Sequence, residues 1–349
     1  RQRFALPRRI PALPGTVVLA LLLGVVGLYA LTQGAADIPP GTVLRLLVDR
    51  LPGITVHADV STSWEQILFD IRLPRILAAG LVGAGLAVSG SAYQGVFRNP
   101  LAEPYLLGVA SGAGLAVAIA VASPLPVGSY GFGWVPMMAF AGGLGTVVLV
   151  YLSAKSAGGI DGGALILAGV ALSAVWSGAT SFIIINGGDR VSQPILSFLF
   201  GGFNTSSWER VLVALPYVAV GAAVIALHAR ALNVLQLDEE QATHLGVDVA
   251  RTKLIVLAAA SLVAATAVAI SGVIGFVGLI VPHVVRILFG ADYRRTLGAS
   301  MLGGAVLLVA VDLIARTAIQ PQEVPVGILT AMLGGPFFLL LLRGRRVSL

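Results

Sequence analysis

The chain has 349 residues, a formal net charge of +6, 57% hydrophobic residues and only 11% charged ones. Soluble domains carry about 25% charged residues, so there are too few here for a water-facing shell, and the mean hydropathy of +0.94 points to the bilayer. The same scarcity makes nucleic acid an unfit partner despite a pI near 10.1, and the absence of cysteine excludes disulfides, thiolate metal sites and a cysteine nucleophile.

A membrane helix needs about 20 mostly apolar residues. Charge-free stretches place the first span at Thr16–Ala36 and the second at Ile76–Phe97. Pro104–Ala154 is charge-free throughout and too long for one helix. Ser123-Pro124-Leu125-Pro126-Val127-Gly128 divides it into a third and a fourth span. Gly162–Gly188 and Val211–Leu227 are the fifth and sixth. Leu254–Val285 contains Ser271-Gly272, a tight break between a seventh and an eighth. Leu297–Ala315, carrying only Asp312, is the ninth, and Val324–Leu342 is the tenth. The expected fold is an all-α polytopic membrane protein with ten transmembrane helices in a single domain over 1–349.

Arg8-Arg9 before an apolar run has the form of a signal peptide. Nine further spans and the lack of a convincing cleavage site predict an anchor helix instead. Ten spans put both termini on one side. Arg98, Lys155, Arg230, Arg251, Lys253, Arg286, Arg294, Arg295 and the basic residues at both termini then share that side, which the positive-inside bias makes the cytoplasm. Gly108 and Gly112 form a GxxxG pair, and Gly80, Gly83, Ala84 and Ala87 make a second face on which helices can approach closely.

On the outer side, Arg72 and Arg75 precede the second span and share a face if its helix starts early. Outer positive charge runs against the bias. The residues alone leave two readings: an acidic docking partner, or arginines snorkelling at the interface. Asp312 and Arg316 are one turn apart and suited to pair with each other. The polar, glycine-broken stretch from Gly187 to Trp208 fits a short outer helix at about Gln193–Phe200.

The longest inner loop runs from His228 to Lys253. Asp238 is an N-cap candidate with Gln241 completing a capping box, Gly246 is placed as a helix stop, and Asp248 is placed to cap a second short helix. Two short amphipathic helices there need a protein surface to rest on; a plain solvated loop is the bland alternative. The catalytic inventory is thin. His57, His228, His244 and His283 lack metal-ligand spacing, with His283 expected to pack or face the interface. Lys155 and Lys253 are the only lysines, and neither sits in a G-x-x-x-x-G-K-[ST] loop, so any ATPase is another chain. Glu103, beside an inner break, is suited to cap a helix or gate a path.

Several of these segments together resemble one family: Arg72-Leu73-Pro74-Arg75, Arg98-Asn99-Pro100-Leu101-Ala102-Glu103-Pro104, Leu107 to Gly114, Leu167 to Leu172, Glu239-Glu240 with Leu245-Gly246, Gly275 to Arg286, and Pro325 to Thr330. In this order over nearly the whole chain, they look like the FecCD-type ABC importer permeases for iron–siderophores, haem and vitamin B12. The resemblance implies a type II ABC importer permease fold in the bacterial inner (cytoplasmic) membrane. It implies a homodimer with its path between the two copies, two cytoplasmic ABC ATPases below and a periplasmic substrate-binding protein above, with no cofactor. The family's ATPase contact carries onto Asp238, Glu239, Glu240, Leu245, Gly246, Val247 and Asp248, within a loop of about 235–251. Its docking arginines fall on Arg72, Arg75 and Arg316, and its cytoplasmic gate on Asn99 and Leu101. A second gate element, Thr/Ser-rich in the vitamin B12 member, is Asp161-Gly162-Gly163 here, a departure that leaves that gate unassigned.

The implied cargo is a bulky iron chelate, a ferric siderophore or haem, with cobalamin the alternative. A secondary transporter would need coupling acids within its spans, and only Asp312 qualifies, near an end. An intramembrane enzyme would need a nucleophile–base pair or metal ligands at span depth, and the sequence offers none.

Overall fold

The computed structural model describes residues 12–34, 36–50, 61–123, 133–156 and 162–345. Arg8, Arg9, His57, Asp161 and the Pro124–Gly128 part of the predicted break lie outside the described residues. Within them the chain is helical: α1 (Ala12–Thr32), α2 (Pro40–Asp49), α3 (Thr62–Gln66), a π turn (Ile67–Arg72), α4 (Leu73–Val96), a 3₁₀ turn (Pro104–Leu107), α5 (Val109–Ala122), α6 (Trp134–Ser156) and α7 (Gly162–Asn186). Then follow α8 (Gly188–Phe200), α9 (Trp208–Leu227), α10 (Ala229–Val234), α11 (Glu239–His244), α12 (Val249–Ser271), α13 (Val277–Phe289), α14 (Tyr293–Thr317) and α15 (Val326–Arg345).

Seven of the described helical segments are long and apolar enough to cross a membrane, while α5, α13 and the apolar part of α15 are shorter and stand at the third, eighth and tenth predicted spans. At 1.5 Å per residue, the 14 residues of α5 and 13 of α13 reach only about 20 Å, short of a ~30 Å hydrocarbon core. Backbone that is not helical at that depth must find its partners inside the protein, and it does. Gly202 N–H donates to Ser271 O (2.8 Å), Val273 N–H to Phe198 O (3.0 Å) and Val326 N–H to Gly201 O (3.0 Å). The predicted break at Ser271-Gly272 is present, with Gly272 at φ +67°.

Helices α4 and α12 form the centre, each with most of its apolar stretch buried, whereas α1 and α7 turn mainly apolar surface outward. A helix apolar all round belongs in such an interior. Small residues let α4 lie directly against α14: a Cβ on Gly83 would sit 2.1 Å from the Gly304 carbonyl oxygen, and one on Gly304 2.1 Å from that of Gly83. Of the predicted GxxxG pair, Gly112 does pack α5 on α6, against Gly142 and Thr146. Gly108 has a different job. It is left-handed (φ +76°) and ends the 3₁₀ turn from which α5 starts.

Three local expectations are corrected. Asp238 precedes α11, but its side chain makes no capping bond, so the capping box with Gln241 does not form. Asp248 does cap, accepting from Arg251 N–H at 3.0 Å, yet the helix it starts is the long α12; the loop's two short helices are α10 and α11. The outer helix α8 begins at Gly188 rather than Gln193. Gly246 is the predicted stop: at φ +83° it lets its own N–H reach Thr243 O and Val247 N–H reach Ala242 O.

Candidate functional site

On the inner face, the segment after α9 is fastened to the ends of two long helices. Asn233 of α10 donates Nδ2–H to Asp292 Oδ1 (2.7 Å) and accepts Tyr293 N–H (2.9 Å), tying it to the start of α14. The Asn233 donor, helped by Arg294 N–H, holds the Asp292 carboxyl below the usual carboxylate range. Gln236 Nε2–H reaches back to Gly95 O at 3.1 Å, at the end of α4. From the other side Arg98 donates to Leu237 O (3.2 Å) and lies 3.7 Å from Asp238 and 3.6 Å from Glu239. Glu239 also receives Lys253 Nζ at 2.5 Å, which joins α11 to α12.

With its base held, this segment presents an outward surface. Leu245 is 63% exposed just past α11, and Leu237, Glu240 and His244 stand out beside it. Val247 is half-buried and Asp248 turns into the α12 cap. Leu237 and Leu245 are thus the apolar residues that this pinned segment leaves exposed.

Asn99 and Leu101 follow directly on Arg98. Asn99 Oδ1 accepts Leu101 N–H at 3.0 Å, and Ala102 N–H donates to Asn99 O at 3.0 Å, so the asparagine builds its own turn. The turn leads to Glu103, whose Oε1 accepts Phe276 N–H at 2.7 Å. Tyr105 Oη donates to Ile274 O at 2.9 Å. The loop before α5 is therefore bonded to the break before α13. Glu103 takes the capping role at α13, where a carboxylate suits the unpaired N–H groups.

On the outer face, Arg72, Arg75 and Arg316 converge, as the early start of the helix from Thr62 allows. None stands out as a rim charge: they are 4%, 8% and 7% exposed. Arg72 donates to Leu31 O (2.6 Å) and Ala36 O, and Arg316 to Gln33 O (3.0 Å) and Ala30 O. Two guanidiniums thus close the carbonyl end of α1. Arg75 binds Asp312 through Nε and Nη2 at 2.8–3.1 Å and Glu323 through both Nη atoms at 2.9 and 3.0 Å.

The predicted Asp312–Arg316 pair is correspondingly weak. Arg316 Nε lies 3.6 Å from Asp312 Oδ2, too far for a hydrogen bond, and has no other partner. The better match for Asp312 sits on another helix. The three arginines and half-exposed Glu323 line a cavity of about 370 Å³.

Asn233 and Gln236 on the inner side and Glu323 on the outer did not stand out in the sequence, and Arg98 was marked there only as an inner basic residue and the start of a family motif. Asp312 was the one usable signal, because a carboxylate within a span demands a cation. His283 packs edge-on to Phe337 with ring centres 5.9 Å apart, in line with its expected packing role. Gly162 and Gly163 begin α7.

This fold carries motifs that known proteins share. The FecCD transport family model matches residues 21–344. The chain belongs to that family. The cobalamin import system permease protein BtuC of Halobacterium salinarum is 48% identical over 286 residues, covering 81% of this chain and 75% of that protein. The hemin transport system permease protein HmuU of Yersinia pestis is 41% identical over 289 residues, covering 80% and 84%. A solved inward-facing conformation of a putative metal-chelate type ABC transporter aligns with a TM-score of 0.80 at 34% identity, covering 94% of this chain and 98% of the other. The protein is the permease subunit of an ABC importer and a multi-pass protein of the cytoplasmic membrane. The rival readings, secondary transporter and intramembrane enzyme, are set aside.

Proposed function

We propose that this permease moves a bulky metal chelate inward as a homodimer, driven by two ABC ATPases at the α11 surface and fed by a periplasmic binding protein at the outer arginine cavity. The observation that carries this reading is the pinned inner segment with Leu245 exposed at its tip. It supplies a fixed surface for a motor on a chain that has no phosphate-binding loop of its own.

In this reading Asp238–Asp248 forms the motor contact, with Leu245 as its apolar anchor and Gly246 setting its turn. Asn99 and Leu101 form the inner gate. Arg75 is the reachable part of the docking site, since Glu323 beside it is half-exposed, while Arg72 and Arg316 shape the cavity behind. An iron chelate, siderophore or haem, is the family-level choice for cargo. The 48% identity to a protein named for cobalamin favours vitamin B12 as the second reading. Uptake of labelled ferric siderophore, haemin and cobalamin by proteoliposomes containing the complex purified from the source cells decides between them. Uptake of none of the three refutes the chelate reading.

A further inference from the structure

We propose that Arg98 and Gln236 are positioning residues that couple the segment leading into the motor-facing helix α11 to the end of α4, and through it to the Asn99–Glu103 loop that follows. The inference rests on the reading above, in which α11 meets the ATPase and Asn99 and Leu101 gate the path. It adds the residues through which one acts on the other.

The two side chains cross the same gap in opposite directions. Gln236 runs from the short-helix segment to Gly95 O, and Arg98 runs from the far side of α4's end to Leu237 O. Gln236 also bonds Leu232 O at 3.1 Å, which fixes its direction. Arg98 holds a left-handed backbone conformation at φ +49°, which side-chain-bearing residues adopt at a cost and keep where surrounding contacts hold them. It lies one residue before Asn99, so a movement of α11 that carries Leu237 and Glu239 pulls on the residue that opens the gate turn. Beyond the turn, Glu103 is bonded to Phe276, so the displacement is passed on to the start of α13. The second anchor of Glu239, Lys253 on α12, gives the linkage a fixed point against which to pivot.

The absence of native cysteine makes the test clean. Leu101→Cys is introduced into the tagged full-length chain, and the complex with its ATPase is purified from the source cells. Maleimide labelling of that cysteine is followed with and without ATP plus vanadate. In the parent, labelling should differ at least fivefold between the two conditions. In Arg98→Ala/Gln236→Ala the difference should collapse to below twofold, while ATP hydrolysis and ATPase retention stay within twofold of the parent, because Asn233 on Asp292 and Tyr293 and Lys253 on Glu239 still hold the segment in place. Arg98→Lys, which keeps the charge, should restore at least half the nucleotide response. If the doubly cut chain does not purify, Arg98→Ala and Gln236→Ala singly carry the same test. A full nucleotide response in the cut chain overturns the link while leaving the gate and motor assignments intact. A parent whose labelling ignores nucleotide overturns the gate assignment and the link with it.

Discussion

Arg75 on α4 and Asp312 on α14 hold one another across 237 positions of sequence, with Nη2 of the arginine 2.8 Å from Oδ1 and both side chains buried. Glu323 takes the remaining face of the same guanidinium from the half-exposed loop after α14. One arginine therefore carries a permanent buried acid and a second acid within reach of the outside.

The two acids should differ sharply in worth. Asp312→Ala leaves Arg75 and Arg316 without their buried counter-charge, and breaking such a pair costs about 3–5 kcal/mol. Glu323→Ala removes a half-exposed partner and should cost no more than about 1 kcal/mol. Thermal unfolding of the detergent-purified protein, followed by loss of monodisperse elution, measures both. Equal losses would mean that the buried contact has no special weight.

Docking should respond to Glu323 with a defined sign. Glu323→Gln frees one face of Arg75 for an acid on the binding protein, and should raise the association rate at low salt by up to about fivefold, the rate equivalent of ~1 kcal/mol. Arg75→Glu should lower the rate and flatten its salt dependence. Stopped-flow association of the source organism's binding protein against ionic strength provides the comparison. An unchanged salt slope in Arg75→Glu assigns the arginine to structure alone.

Arg72 and Arg316 should behave as fasteners of the first helix. Each gives charged hydrogen bonds to carbonyls at the end of α1, worth about 1.5–3 kcal/mol apiece. Arg72→Gln should therefore loosen α1 first, seen as faster limited proteolysis near residues 33–37. Slower docking with unaltered proteolysis would contradict this.

Close helix contact predicts a steep contrast among glycines. Gly83→Ala forces a methyl into the Gly304 carbonyl and should cost at least the ~1–3 kcal/mol of overpacking. Gly145→Ala and Gly178→Ala meet no neighbouring atom within 4 Å and should be neutral or slightly stabilising, since alanine favours helix. Midpoints of thermal unfolding for the three variants test the ranking.

The proposed ATPase contact offers the fifth prediction. Gly246→Pro cannot reach φ +83° and loses the N–H bonded to Thr243 O, so the turn after α11 should break. Leu245→Asp keeps the turn and changes only the exposed tip. Both should lose the ATPase subunit on purification while the spans stay folded. Full retention in both would leave the segment a linker.

Much of this architecture was legible in the amino-acid order, because the bilayer acts on local properties. A run of apolar residues without charge must cross or be buried, and prolines and glycines interrupt it wherever they fall. The spans, the break at Ser271-Gly272 and the stop at Gly246 follow from neighbours along the chain, and the family motifs follow from order alone. Partner choice does not. Asp312 had Arg316 one turn away, yet packing of α4 on α14 brought Arg75 closer, and the end of α1 drew Arg316 to its carbonyls. Asp238 had a capping partner in Gln241, but its exposed side chain makes no capping bond, and the nearest cation, Arg98 of a distant loop, lies 3.7 Å away. Long side chains reach whatever group tertiary contact places within 3 Å, and burial makes each take the partner that satisfies its charge. The sequence alone thus determined the apolar spans, their breaks and the family; only the packed structure decided which charges meet, and so which arginines hold the fold.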